Sequence, residues 1–367
     1  MTKSYFGGRR MRVSRLLIAL LLLGPPLALA DSLQHEFLLL PSAQAVGTFD
    51  RQAPVTNIVD EVLQADMIFS LQYGPFKVFG EYLVSDHEGD LERFQLGWQL
   101  SGDTIIWLGR FHQPTSVWNH DHHHGQYLQT SVTRPEIDEW EDLGGVLPQH
   151  FTGALIESSR PVWSSWRLRT AVGAGLAPQI TPDGLVPFDL VHPDHNRRQV
   201  GYQARASLHP GDFTESGFGV LVANDELAGV RLTAPAFLGL DHVDLKLLGV
   251  FGSYADNSWK LLATLYHADA ELYYTGSVID DHFTVGYAQA ERRLSHELTG
   301  FVRWEDAIGA ADSPYLKLFE GFDRSRHVAG LRWDFARRQA LTLQLTDSHT
   351  LKGRFSDIRI QWSAALF

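Results

Sequence analysis

Apolar side chains recur at every second position along most of this chain, and that period admits extended strands and little else. In 357–367, Ile358, Ile360, Trp362, Ala364 and Leu366 alternate with Asp357, Arg359, Gln361 and Ser363. Over 93–100, Phe94, Leu96, Trp98 and Leu100 oppose Arg93, Gln95, Gly97 and Gln99. Over 299–305, Val302 and Trp304 oppose Thr299, Phe301, Arg303 and Glu305. Over 326–335, His327, Ala329, Leu331, Trp333 and Phe335 oppose Arg326, Val328, Gly330, Arg332 and Asp334. A sheet with two unlike faces fits either a sandwich with its polar face in bulk water or a barrel with its apolar face in lipid.

The N-terminus favours the second. Lys3, Arg9, Arg10, Arg12 and Arg15 precede an apolar run from Leu16 to Leu23, then Gly24-Pro25-Pro26, then Ala28-Leu29-Ala30. This is the three-part pattern of a secretory leader, with cleavage expected after Ala30. The apolar run falls short of the ~20 residues that cross a bilayer as a helix. With no cysteine, the exported chain has neither an acylation site nor a disulfide framework, so its stability must come from a large core or a closed sheet. Its net charge of −12, with five of the basic residues inside the leader, argues against a polyanionic partner such as nucleic acid. Ten Trp, eleven Tyr and twenty-one Phe are enough for aromatic girdles at membrane interfaces.

Connection lengths agree. Short turns are predicted near Gly74-Pro75, Ser101-Gly102, Arg160-Pro161, His209-Pro210-Gly211, Leu238-Gly239, Leu294-Ser295 and Arg337-Arg338, and long connections over 112–150, 177–197 and 305–325. With a first strand at Leu33 to Leu40, all the long connections fall on one side. The scheme requires a further tight turn near His267–Ala270 and gives an even number of strands, about 16–18, each of ~9–11 residues. The domain reading is a leader over 1–30 and one antiparallel up-and-down β-barrel over 31–367.

Leader, alternation, loop asymmetry and the terminal Phe367 together resemble the outer-membrane porins, broadly defined. The segment from Leu108 to Gly153, with Gly109-Arg110-Phe111-His112, His123-His124-Gly125, Arg134-Pro135, Glu141-Asp142 and Pro148-Gln149-His150, also resembles uncharacterised porin-like bacterial proteins. The resemblance implies location in the outer membrane of a Gram-negative bacterium and contact with lipopolysaccharide and the barrel-assembly machinery. The reading that fits it is a channel for passive diffusion of small polar or charged solutes, without catalysis, with a homotrimer as the candidate assembly. One departure is that Phe367 shares parity with Ala365, Ser363 and Gln361 rather than with the apolar row. A bulge near the end would restore the usual register.

Chemistry concentrates in 112–150, far longer than the ~12–15 residues at which unstructured connections become uncommon. Trp118, Tyr127, Ile137, Trp140, Leu143 and Leu147 give it apolar material to pack, and Pro135 to Asp142 suits a short helix. The segment is expected to fold into the lumen and narrow it. The candidate pore-lining set is Arg93, Arg110, Arg167, Arg169, Arg205, Arg303, Arg332 and Arg359 on the wall, facing Glu136, Asp138, Glu139, Glu141 and Asp142 on the loop. Two arrangements are open: separated arrays that set up a transverse field, or direct pairing that stiffens the wall. No cofactor is required, but His120, His122 and His124 are candidate ligands for Zn, Ni or Cu. The alternative function is a metal-binding or hydrolytic barrel, with Ser116, His120 and Asp121 as its set, although no G-x-S-x-G elbow or H-E-x-x-H helix is present. A TonB-dependent transporter would need ~22 strands and a plug domain, and Asp31 to Ala65 is too short for one.

Overall fold

The computed structural model describes residues 33–50, 58–85, 89–122, 125–141, 144–163, 165–182, 184–193, 196–211, 215–229, 237–319, 321–350 and 353–366. The expected leader, His123, His124, Asp142, Leu143 and Phe367 lie outside them. The strands are β1 (Leu33–Asp50), β2 (Ile58–Tyr73), β3 (Phe76–Ser85), β4 (Gly89–Ser101), β5 (Thr104–His112), β6 (His150–Val162), β7 (Trp166–Leu176), β8 (Gln179–Thr181) and β9 (Gly184–Val186). They continue as β10 (Val200–Pro210), β11 (Gly217–Gly229), β12 (Leu240–Ala255), β13 (Trp259–Tyr274), β14 (Ser277–Arg293), β15 (Leu298–Ile308), β16 (Asp323–Ala336), β17 (Gln339–Thr350) and β18 (Arg354–Ala364). Each long strand pairs antiparallel with the next, β7 pairs with β10, and β18 pairs with β1, closing a 16-strand barrel. The small β8–β9 hairpin belongs to the connection between β7 and β10. Closure leaves the barrel no sheet edge to protect.

The faces follow the alternation. Along β15, Val302, Trp304 and Ile308 are exposed on the outside, while Phe301, Arg303, Glu305 and Ala307 are buried inside. Along β17, Leu341, Leu343 and Leu345 face out and Thr342, Gln344 and Thr346 face in. The exterior is thus an apolar band, and Tyr73, Phe76, Trp98, Tyr254, Trp333 and Phe335 are exposed aromatics near its short-turn rim. On β13 the outward row changes from Leu261, Ala263 and Leu265 to His267, Asp269 and Glu271, which marks where the band ends towards the long-loop rim.

Two expectations about turns fail together. β13 is continuous, with no turn near His267–Ala270, because Tyr266, Ala268, Ala270 and Leu272 form an unbroken buried row. The Leu238-Gly239 turn lies on the long-loop rim, since Ala228 pairs with His242 at that end of β11 and β12. Putting that turn on the wrong rim forced the spurious second one. Among the described residues no bulge restores the usual terminal register: the pairing of β1 with β18 keeps one register from Asp50–Phe355 through to the Leu39–Leu366 bridge.

The interior departs from a uniformly polar wall. Leu221, Leu227, Val243, Leu245, Leu247, Tyr266, Leu272, Phe283 and Val285 point inward from β11–β14. They are covered by Trp118, Ile137, Val146 and Leu147 from the 113–149 connection and by Tyr315, Leu316, Leu318 and Phe319 from 309–322. Apolar residues on both faces of these strands are what full burial demands.

Two backbone devices shape the wall beneath this connection. Glu81 pairs with Arg93 and Tyr82 with Leu91, so Glu92 is the extra residue of a bulge that buries it along with Arg93. Gly109 has φ +141°, and a Cβ there would sit 1.9 Å from the Phe94 carbonyl oxygen. Gly109→Ala is therefore expected to cost at least ~2 kcal/mol through strain and a displaced β4–β5 ladder. Refolded G109A should show a reduced heat-modifiable fraction on gels, and an unchanged fraction would contradict the strain argument.

Candidate functional site

The 113–149 connection is tied to itself before it touches the wall. A short helix, α1 (Val117–His122), and single 3-10 turns at Gln126–Leu128 and Glu136–Asp138 replace the helix expected over 135–142. Asn119, fully buried, joins three parts of the segment. Its Nδ2 donates to the Asp138 carbonyl (2.7 Å) and to Gln149 Oε1 (2.9 Å), while its Oδ1 accepts from Arg134 Nη1 (2.9 Å). Trp118 Nε1 donates to Gln129 Oε1 at 3.0 Å. At the return to β6, Glu141 accepts the backbone N–H of Gln149 (2.6 Å) and of His150 (2.8 Å), and its Oε2 lies 2.9 Å from His150 Nδ1.

Charge and hydroxyl groups then bolt the segment across to β13 and β15–β17. Arg303, 2% exposed, donates to Ser131 Oγ, the carbonyls of Thr133 and Arg134, Thr133 Oγ1, Gln289 Oε1 and Glu305 Oε1, all at 2.8–3.0 Å. Arg326 bridges Glu305 (2.8 Å) and Glu136 (2.9 Å) and also donates to the Arg134 carbonyl. Gln344 Oε1 accepts from the N–H groups of Val132 (2.8 Å) and Thr133 (3.2 Å). Arg332 donates to the carbonyls of Tyr127 (2.8 Å) and Gln129 (2.7 Å), and Tyr266 donates to Asp138 Oδ1 at 3.0 Å.

Burial sets the protonation of the loop groups. It raises the Asp138 carboxyl to about 6, against the opposing pull of hydrogen bonds from Tyr266 and Ser116. Burial also lowers His122 to about 4, helped by the nearby Lys260 charge, so its ring is neutral at pH 7. Burial would raise Glu141 as well, but the His150 charge and the backbone N–H donors outweigh it and hold that carboxyl below its usual range.

The predicted residues divide into paired and open sets. Glu136, Asp138, Glu139 and Glu141 do not stand off from an arginine row: Glu136 holds Arg326, Glu139 lies 3.5 Å from Arg134, and Glu141 holds His150. Arg303 and Arg332 hold the loop, Arg359 pairs with Asp357 (3.0 Å), and Arg93 pairs with Glu81. Arg110 shares the parity of the outward Leu108 and is buried beside Asp90 (3.5 Å) and Glu92 (3.9 Å). Arg167 donates to the Ser159 carbonyl at 3.1 Å. Of the metal candidates, His120 Nδ1 lies 2.9 Å from Asp121, and the His122 ring stacks on Trp118. Among the described residues, no group of three His, Cys, Asp or Glu side chains is arranged to hold a metal ion. Asn119, Gln149, Gln344 and Tyr266 escaped sequence reasoning because uncharged polar residues give no pattern. Glu305 and Arg326 were visible as inward positions, but their partners were not.

The open set lines a vestibule of about 830 Å³. Its roof is α1, through Val117, Trp118 and the 120–122 side chains, and its walls are the short-turn halves of β5–β7, β10, β12 and β13, with Tyr287 of β14. Arg169 and Arg205 stand on neighbouring strands, Ser207 pairing with Arg169 and Ala171 with Arg205, and Lys260 lies on β13.

No protein-family model matches the chain, and no curated protein matches it. Solved structures do. The anion-selective porin from Comamonas acidovorans aligns with a TM-score of 0.60 at 10% identity, covering 91% of this chain and 100% of that one. OmpT, an outer membrane protein of Vibrio cholerae, aligns at 0.59 and 9% identity, covering 92% and 98%. The outer membrane channel DcaP of Acinetobacter baumannii aligns at 0.58 and 9% identity, covering 92% and 98%. At such identities the likeness establishes a shared fold.

Proposed function

We propose that this chain forms a passive outer-membrane channel for small polar or charged solutes, with the 113–149 segment as its fixed constriction. The observation that carries this reading is a charged vestibule inside a barrel with an apolar exterior, roofed by a segment that is bonded to walls on both sides. A barrel of 16 strands has room for an aqueous path. The partners of the loop acids, Arg326 for Glu136, Arg134 for Glu139, His150 for Glu141 and Tyr266 for Asp138, support a rigid constriction over a transverse field between separated arrays. Lipopolysaccharide and the barrel-assembly machinery are the partners this location implies. A homotrimer is the assembly proposed, and OmpT of Vibrio cholerae, which shares the fold, is described in a trimer form.

Single-channel recording of the refolded protein in a planar bilayer tests this. Discrete steps are expected, grouped in threes if the trimer inserts as a unit. Folded, membrane-inserted protein that conducts nothing would overturn the channel reading.

A further inference from the structure

Most arginines inside this barrel are spoken for. Arg93, Arg303, Arg326, Arg332 and Arg359 each lie against a carboxylate. Arg169, Arg205 and Lys260 make no hydrogen bond or ion pair with any described residue, and all three line the vestibule. Arg205 is 9% exposed, with its guanidinium over the Phe251 ring at 4.4 Å and its Nη1 buried without a hydrogen-bond partner. A buried cationic donor left without a protein partner is costly, and water, an ion or a solute in the vestibule must complete it.

Geometry places the two arginines side by side. Ser207 lies opposite Arg169 and Ala171 opposite Arg205, so the two arginines are diagonal neighbours on β7 and β10. Their Cβ atoms are separated by ~7–8 Å, within the span of one small solute held by two guanidinium forks. Carboxylates also border the space, but none pairs with either arginine. Glu157 accepts from Trp107 Nε1 (2.8 Å), Asp121 is bonded to His120 (2.9 Å) and attracts Arg169 and Arg205 through space without a salt bridge to either, and Asp103 and Glu215 sit in turns at the rim. Trp118, Phe251 and Leu262 line the same space and lower its polarity, which strengthens charge-assisted bonds within it.

We propose that the vestibule is a saturable binding site for small solutes carrying two or more negative charges on oxygen, held by Arg169 and Arg205 with Lys260 in support. This deepens the channel reading and rests on it for the route of entry, though not for binding itself. Dicarboxylates and phosphate share the required chemistry.

The test adds sodium succinate, inorganic phosphate or sodium acetate to refolded protein, reading KCl conductance in a bilayer and binding by calorimetry in detergent. Refolding of each variant is checked by heat-modifiable migration. Succinate or phosphate should block conductance saturably and acetate only weakly, and whichever of the two blocks more strongly identifies the source. R169Q and R205Q should each weaken the block by about ten-fold, the scale of one charge-assisted hydrogen bond. R292Q, at an outward arginine over Trp259, should leave it unchanged. Equal block in R169Q/R205Q and wild type would overturn the site while leaving the channel standing, and acetate as strong as succinate would overturn the multivalent class. If the protein conducts nothing but binds succinate or phosphate, and R169Q/R205Q does not, the site stands and the channel falls. With neither conductance nor binding, both fall.

Discussion

Arg303→Met is expected to detach the 127–136 stretch from the far wall and raise single-channel conductance at least about two-fold, with the barrel itself intact. The substitution removes donors to Ser131, Thr133, Arg134, Gln289 and Glu305. Losing one partner of a buried charged network costs about 3–5 kcal/mol. The lower end applies here, because Arg326 still holds Glu305 at 2.8 Å and no carboxylate is left alone. That is enough to shift the loop between attached and detached states by two decades. The sheet is spared, since neither the β14–β15 nor the β15–β16 ladder uses the side chain. Arg303→Lys should behave almost as badly, because one ammonium cannot reproduce a planar fork aimed at acceptors on two sides. The checks are conductance and limited proteolysis of protein in vesicles, where cleavage within 127–136 should appear only in the variant. Wild-type conductance together with wild-type resistance would show that Arg303 is not what fixes the loop.

The network that makes this prediction possible was half legible in the sequence. Parity alone put Arg303, Glu305, Arg326 and Arg332 inside, and the closed barrel follows from the same alternation. What parity cannot supply is partnership. Glu136 meets Arg326 across 190 positions of sequence, and nothing local in either neighbourhood names the other. The choice between a field of separated charges and direct pairing was thus invisible until the loop's path was known. The inner apolar wall did leave a trace. Leu247-Leu248-Gly249-Val250-Phe251 is apolar at consecutive positions, which a strand with one wet face would not tolerate. The error at Leu238-Gly239 has a different origin, because Gly-containing tight turns suit either rim and only the register of β11 against β12 decides between them.

Val302→Arg should separate a lipid-facing exterior from a water-facing one more sharply than any assay of transport. Val302 is 57% exposed, lies midway along β15, and is flanked in sequence by the inward Phe301 and Arg303. In a soluble sheet, arginine at so exposed a site would change stability by roughly half a kcal/mol or less. At the midplane of a bilayer the same substitution costs about 2–4 kcal/mol. Asp269→Arg supplies the control, since Asp269 is also outward and exposed but stands beyond the apolar band on β13, where the interface removes most of the penalty. Reversible urea unfolding in lipid vesicles should therefore show a large loss for V302R and almost none for D269R. The inward Arg303 beside it shows that charge as such is tolerated on this strand. If both outward variants lose little, the exterior faces water, and the barrel is not a membrane protein whatever its fold resembles.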